Sequence, residues 1–302
     1  MNKDIQHITI NQSAEQKFSF LTDLNLLVKG RLTSMVVFTS VIAYLLSSGF
    51  SVSIGSVIFL AIGGFFIAGA ANIFNEVLEK DYDKLMKRTL NRPIAAGRMS
   101  MSTGVMIAGF MALIGMTILG MFNPLTAFFG TLSLVIYAFI YTPLKRVTPM
   151  AVTIGALPGA MPLLIGSVAY DGYVSELAIW LFALQFLWQF THFWAIGVLS
   201  YAEYHKAGYT FIPGNGNSPA KRIRYQALIS AVCLLPLTAL LDYTMNLHLL
   251  SASLMYMAAA GFIYYAIEFV RDKKDNNALS LMFSSLIYLP VVLSILLIDQ
   301  LF

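Results

Sequence analysis

The sequence predicts an all-α polytopic membrane protein, a bundle of nine transmembrane helices. Three observations carry this. Of 302 residues, 58% are hydrophobic and 11% charged, with mean hydropathy +0.74; a soluble domain carries about 25% charged residues. Apolar windows of roughly 17–25 residues, the length that crosses a bilayer, recur along the whole chain. All 19 Lys and Arg fall in alternate connections between those windows.

The windows lie near 33–49, 53–78, 102–121, 125–142, 150–169, 174–199, 225–243, 247–270 and 278–298. The second and sixth are long enough to tilt or to run past the membrane. Ahead of the first, "FSFLTDLNLLVKGRL" reads as a short interfacial helix. Lys3, Lys17, Lys29 and Arg31 precede span one. Lys80, Lys84, Lys87, Arg88, Arg92 and Arg98 separate spans two and three. Lys145 and Arg146 follow span four, and Lys206, Lys221, Arg222 and Arg224 follow span six. Arg271, Lys273 and Lys274 follow span eight. The opposite connections hold only Asp171, Glu176 and Asp242, with Asp299 near the end. The positive-inside rule then puts the N-terminus in the cytoplasm and the C-terminus outside.

This asymmetry accounts for the net charge of +4 and the pI near 9.0 without a nucleic-acid partner. Residues 1–24 form a polar cytoplasmic segment. They lack the apolar core and cleavage site of a secretory signal and the arginines of a transit peptide. Residues 25–302 are expected to be one transmembrane domain in the lipid bilayer of a bacterial inner (plasma) membrane, with the working site facing the cytoplasm. Cys233, the single cysteine, lies inside a span, cannot form an intrachain disulfide and is assigned to packing.

The polar residues that remain gather in three places. The first is "NIFNEVLEKDYDKLMKRTLNRP", residues 72–93. On a helix continuing from span two, Asn75, Glu79 and Asp83 are spaced i, i+4, i+8 and share one face, with Asn72 a turn earlier. A polar stripe on an apolar helix faces the bundle interior or a water-filled cavity. Two carboxylates and an amide oxygen suit a hard cation such as Mg²⁺, which usually arrives with substrate phosphate. Arg88 and Arg92 follow within the same loop, and arginine forks match phosphate oxygens. The competing reading is a solvated helix end whose cations anchor to anionic lipid.

The second is "YTPLKRVTP", residues 141–149, where Pro143 and Pro149 fix a turn presenting Lys145 and Arg146. The run "GALPGAMPLLIG" behind it reads either as a kinked wall beside a cavity or as close helix packing. The third is "FLWQFTHFWAIGVLSYAEYHKAGY", residues 186–209. His192 lies deep in span six beside Gln189, between Trp188 and Trp194, and an ionisable group there is a candidate site. A histidine bonded to a neighbouring helix carbonyl is the structural alternative. Glu203, Tyr204 and His205 lie where this span leaves the membrane and can meet the carboxylate stripe. His7 and His248 receive no role. Together these residues describe a cavity with apolar, aromatic walls and a divalent-metal site for phosphate at its mouth. A substrate with a diphosphate head and a greasy tail fits it.

Asn75-x-x-x-Glu79-x-x-x-Asp83 resembles the first aspartate-rich motif of the UbiA superfamily of intramembrane prenyltransferases. Within it, "DKLMKRTLNRP", "YTPLKRVTP", "WQFTHFWAI" with "EYHKAG", and "ALSLMFSSLIYLPVVLSILL" look like the protoheme IX farnesyltransferase (heme O synthase) family. "KGRLTSMVVFTSVIAYLL" in the first span is similar, so the resemblance runs from about residue 27 to 299. Glu79 and Glu203 stand where that family usually has Asp, and Thr191 where it commonly has Pro.

The resemblance implies a nine-helix fold and transfer of a farnesyl group from farnesyl diphosphate to heme B, giving heme O and diphosphate. It implies that Asn75, Glu79 and Asp83 hold Mg²⁺ on the diphosphate. Arg88, Arg92, Lys145 and Arg146 would neutralise the leaving group. His192 would contact heme as an axial ligand or a propionate partner, with Gln189, Glu203 and Tyr204 nearby. Heme A synthase or terminal oxidase assembly would be the protein partners. The rival readings are an aromatic prenyltransferase making a quinone precursor, a transporter, and a heme-binding assembly factor without catalysis.

Overall fold

The computed structural model describes residues 19–216, 218–271 and 275–302. Lys3, His7, Lys17, Lys273, Lys274 and most of the 1–24 segment lie outside the described residues. Among those described, nine helices are long and apolar enough to cross a membrane. In chain order the elements are α1 (Phe20–Leu27), α2 (Gly30–Ser48), α3 (Ile54–Asp83), α4 (Met101–Gly120) and α5 (Pro124–Val135). A π-helical turn (Ile136–Tyr141) and α6 (Thr142–Leu144) complete that span. Then come α7 (Ala151–Asp171), α8 (Glu176–Leu199), α9 (Tyr201–Lys206), α10 (Arg222–Met245), α11 (Leu249–Arg271) and α12 (Asp275–Asp299).

Local chemistry sets many of these ends. Ser19, Ser53, Ser100, Asn123 and Ser175 each accept a hydrogen bond from the backbone N–H three residues on, satisfying a donor the helix cannot. Gly49, Gly172 and Asn246 close α2, α7 and α10 in the left-handed region, where glycine and asparagine are tolerated best. α1 is helical within the stretch expected to form a short helix ahead of the first span. α3 continues as one helix past the apolar run to Asp83, as the shared face of Asn75, Glu79 and Asp83 requires.

α7 is the axis of the bundle: Ala160, Leu163 and Val168 are fully buried, and α2, α5 and α8 pack around it. α3 and α4 form a second packed pair, and α8, α10, α11 and α12 close the other side. Phe110, Ile229 and Met257 point outward, as side chains facing lipid do. Prolines inside spans are compensated locally. Pro162 has no N–H for the Pro158 carbonyl, which takes the Ser133 hydroxyl at 3.3 Å instead.

Cavity wall and close packing fall at different positions of "GALPGAMPLLIG". Gly155 and Gly159 line a cavity, whereas Gly166 is a packing residue. A Cβ on Gly166 would stand 1.9 Å from the Ser40 backbone oxygen of α2. Backbone cannot swing aside as a side chain can. Gly166→Ala is therefore expected to push α2 off α7 and cost about 1–3 kcal/mol, read as a fall in the apparent Tm of the detergent-purified protein.

The loop after α3 is held by side chains. The Thr89 hydroxyl donates to the Asp83 carbonyl (2.8 Å), and the Ile94 N–H donates to Glu76 Oε1 (3.0 Å). Arg98 grips Asp23 of α1 through Nε (3.0 Å) and Nη2 (2.8 Å), and donates to the Asn91 carbonyl. The next long connection is tied down by the Thr210 and Phe211 N–H groups, which both donate to the Lys145 carbonyl. These ties bring three separate loops to one end of the bundle.

Candidate active site

Asn75, Glu79 and Asp83 do share one face of α3, and all three are buried. Their partners are cations. Asn75 Oδ1 accepts from Lys29 Nζ at 2.8 Å. Its amide donates to Glu79 Oε2 and to Thr142 Oγ1, both at 2.9 Å. Glu79 Oε1 is paired with Lys145. Asp83 Oδ2 accepts from Arg92 at 2.7 Å. Two of the four basic residues expected here thus meet the carboxylates directly.

The other two are placed differently. Arg88 donates to the Tyr204 hydroxyl at 3.0 Å and lies over that ring, at the exposed rim. Arg146 donates to the Leu78 carbonyl, and its guanidinium sits 3.9 Å from the Tyr82 ring centroid. It grips the edge of α3 and, among the described residues, pairs with no carboxylate. Glu203 is half-buried on α9, and its carboxylate forms no ion pair among the described residues.

Three participants were missed in the sequence. Lys29 ends the turn before α2 in a left-handed conformation (φ 51°) that directs it to Asn75. Glu76 is fully buried; it sits i+4 from Asn72, and Glu79 and Asp83 follow at i+7 and i+11, so helical spacing could have found it. Tyr209 is buried, with the Lys145 ammonium 5.6 Å from its ring and 5.0 Å from that of Tyr141. No spacing rule links Tyr209 to α3.

Electrostatics follow from burial. Burial, reinforced by the nearby Arg92 charge, lowers Lys29 to about 7. Burial also lowers Lys145, although the Glu79 charge opposes it. Burial would depress Arg92, but the Asp83, Glu76 and Glu79 carboxylates outweigh it and hold the group above its usual value. Burial and then the Glu79 charge push the Tyr209 phenol well above its ordinary range.

Among the described residues no group of three or more His, Cys, Asp and Glu is arranged to hold a metal by itself. The oxygen set still fits a hard cation. Asp83 Oδ1 and Glu76 Oε2 are buried and meet no hydrogen-bond donor among the described residues. An unsatisfied buried carboxylate oxygen is costly, and a cation reaching it removes the cost.

The stripe leads into a cavity of about 410 Å³. Asn72, Tyr137 and Tyr141 form its wall beneath the charged cluster, and Trp188, Gln189 and His192 line it further along the chain's sixth span. The π-helical turn aims both tyrosines. Pro143 has no N–H for the Phe139 carbonyl, and the ladder before it widens so that the Thr142 N–H reaches the Tyr137 carbonyl. Tyr141 packs where a Cβ on Gly155 would stand, 2.6 Å from its ring. Gln189 donates to the Ala156 carbonyl at 2.6 Å. His192 does not bond a carbonyl as the structural alternative required: its Nδ1 lies 2.6 Å from Ser285 Oγ on α12.

The sequence pattern of the UbiA prenyltransferase family matches residues 36–287. A protoheme IX farnesyltransferase of Christiangramia forsetii is 38% identical over 284 residues, 93% of this chain and 94% of its own. That of Flavobacterium psychrophilum is 38% identical over 289 residues, 93% and 95% of the two chains. Among solved structures, a digeranylgeranylglyceryl phosphate synthase superposes with a TM-score of 0.78 at 17% identity, over 93% of this chain and 98% of its own. A UbiA homologue from Archaeoglobus fulgidus bound to GPP and Mg²⁺ gives 0.56 at 14% identity, over 91% and 99%. The solved structures share the helical fold, and the sequence relatives run nearly the full length. With its buried carboxylate stripe opening into an apolar cavity, the chain belongs to the UbiA prenyltransferase family.

Proposed function

We infer that this chain is a protoheme IX farnesyltransferase: it joins farnesyl diphosphate to a vinyl group of heme B, with water, to give heme O and diphosphate. The observation that carries this is one continuous site, from buried carboxylates and cations at the bundle end into an aromatic-walled cavity containing His192. Relatives of nearly the same length that bear this name support it.

Glu79 and Asp83, with Asn75, would hold Mg²⁺. When bound, the ion offsets the negative charge of the diphosphate and of the leaving group. Lys145 and Arg92 already stand at the carboxylates. With Glu79 and Asp83 holding the ion, Lys145 and Arg92 would be free to turn to phosphate oxygens. Charge that grows on the leaving diphosphate is then met by groups placed beforehand. Arg88 and Tyr204 supply the outer rim. The Tyr137 and Tyr141 rings, 5.6 Å apart, offer π faces to the allylic cation left when the C–O bond breaks. The apolar walls keep bulk water from quenching it to farnesol.

The enzyme would work in a bacterial plasma membrane with this end towards the cytoplasm, where all the Lys and Arg are expected. Heme A synthase or an assembling terminal oxidase is the expected recipient of heme O. The test is mass spectrometry of hemes from membranes containing the protein, given heme B and farnesyl diphosphate. Heme O is expected with Mg²⁺ and not with EDTA. Formation of a prenylated hydroxybenzoate or naphthoate in its place would move the chain to quinone biosynthesis.

A further inference from the structure

A histidine facing a porphyrin can do two different jobs, and they need different tautomers. A ligand to iron presents a bare nitrogen lone pair. A partner to a propionate presents an N–H. The surroundings of His192 choose between them.

His192 Nδ1 lies 2.6 Å from Ser285 Oγ, and Ser285 Oγ lies 2.5 Å from the Met282 carbonyl oxygen. A carbonyl can only accept, and two oxygens come this close only with a proton between them. Ser285 has one hydroxyl proton and gives it to Met282. Its oxygen can then only accept from His192, so Nδ1 carries the ring proton. A neutral ring protonated at Nδ1 has its lone pair on Nε2. Nδ1 is committed to α12, and Nε2 makes no hydrogen bond to any described residue. His192 lines the cavity.

The ring is also held in place. Trp188 stacks on it at 5.1 Å between centroids and 11° between planes. The Trp188 indole N–H donates to the Ser285 carbonyl at 2.8 Å. One fully buried serine therefore anchors both the imidazole and the ring that flanks it.

We infer that Ser285 is a positioning residue that keeps His192 in the Nδ1–H tautomer, so that Nε2 serves as an axial ligand to the iron of the acceptor porphyrin and not as a donor to its propionates. This rests on the reading of heme B as substrate. A hydrogen bond to the far nitrogen of a ligating imidazole also raises its basicity, and loss of such a support costs about 10–100-fold in metal affinity.

The test is titration of the purified full-length protein with ferric heme B, followed by Soret absorption and EPR. Iron-free protoporphyrin IX serves as a second probe. Wild type is expected to show an imidazole-ligated iron signature that His192→Ala abolishes. Ser285→Ala should weaken ferric heme binding about 10-fold and leave a mixed iron signature, and Ser285→Thr should restore both. Iron-free porphyrin should bind wild type and His192→Ala alike, which holds even if the serine variants fold poorly. A propionate role predicts the reverse: His192→Ala would weaken both porphyrins equally and leave the iron spectrum unchanged, and that result overturns the inference. Heme O formation by wild type is assayed in the same preparation. Product without a His192-dependent iron signature sinks the ligand assignment alone, whereas no product sinks the parent reading.

Discussion

Replacing Asp83 with Asn is expected to lower turnover by about 10²-fold or more while the protein still accumulates in membranes. Asn keeps the shape of Asp83 and loses its charge. In the native site Oδ2 holds Arg92, and the buried Oδ1 meets no donor. That second oxygen is free to meet a cation. Its loss should raise the Mg²⁺ concentration needed for half-maximal heme O formation as well as cut the rate. Arg92 remains partly accessible (18% for its side chain), so it can turn to water when its partner becomes neutral. The fold should tolerate the change. Measured by heme mass spectrometry across a Mg²⁺ series, wild-type turnover in Asp83→Asn would remove the metal from this stripe.

Lys145→Ala is the second large effect, and it acts on stability and chemistry together. Lys145 and Glu79 form an ion pair with side-chain exposures of only 11% and 4%. Taking one partner from a buried pair strands the other charge and costs about 3–5 kcal/mol. The apparent Tm should fall accordingly. Turnover should also drop about 10²-fold, because a cation proposed to meet the leaving group is gone. Adding Glu79→Gln isolates the effect on stability. The double variant should recover much of the Tm, since no unpaired charge remains, and should stay inactive. Recovered turnover in that variant would mean that Lys145 and Glu79 only balance one another and that neither is needed at the diphosphate.

Much of the site was readable along α3, because helical spacing there is a local property. Asn75, Glu79 and Asp83 could be placed on one face without knowing what surrounds α3. Arg92 could be paired with them because the loop returns within nine residues. The same logic covers Glu76, which was passed over although it occupies the same stripe. Arg146 shows where local reading stops. It adjoins Lys145 in the sequence, yet one reaches Glu79 and the other grips Leu78 and Tyr82. Consecutive side chains leave a turn in different directions, and only the neighbouring helix shows which direction meets a carboxylate.

The nine spans and the one-sided charge follow from composition and order alone, because a bilayer allows few ways to satisfy backbone hydrogen bonds and to place Lys and Arg. The tautomer of His192 and the recruitment of Lys29 and Tyr209 do not. Each depends on a contact between residues far apart in the chain: Ser285 with His192, Lys29 with Asn75, Tyr209 with Lys145. Such contacts arise from how helices cross, and no periodicity within a single helix encodes them.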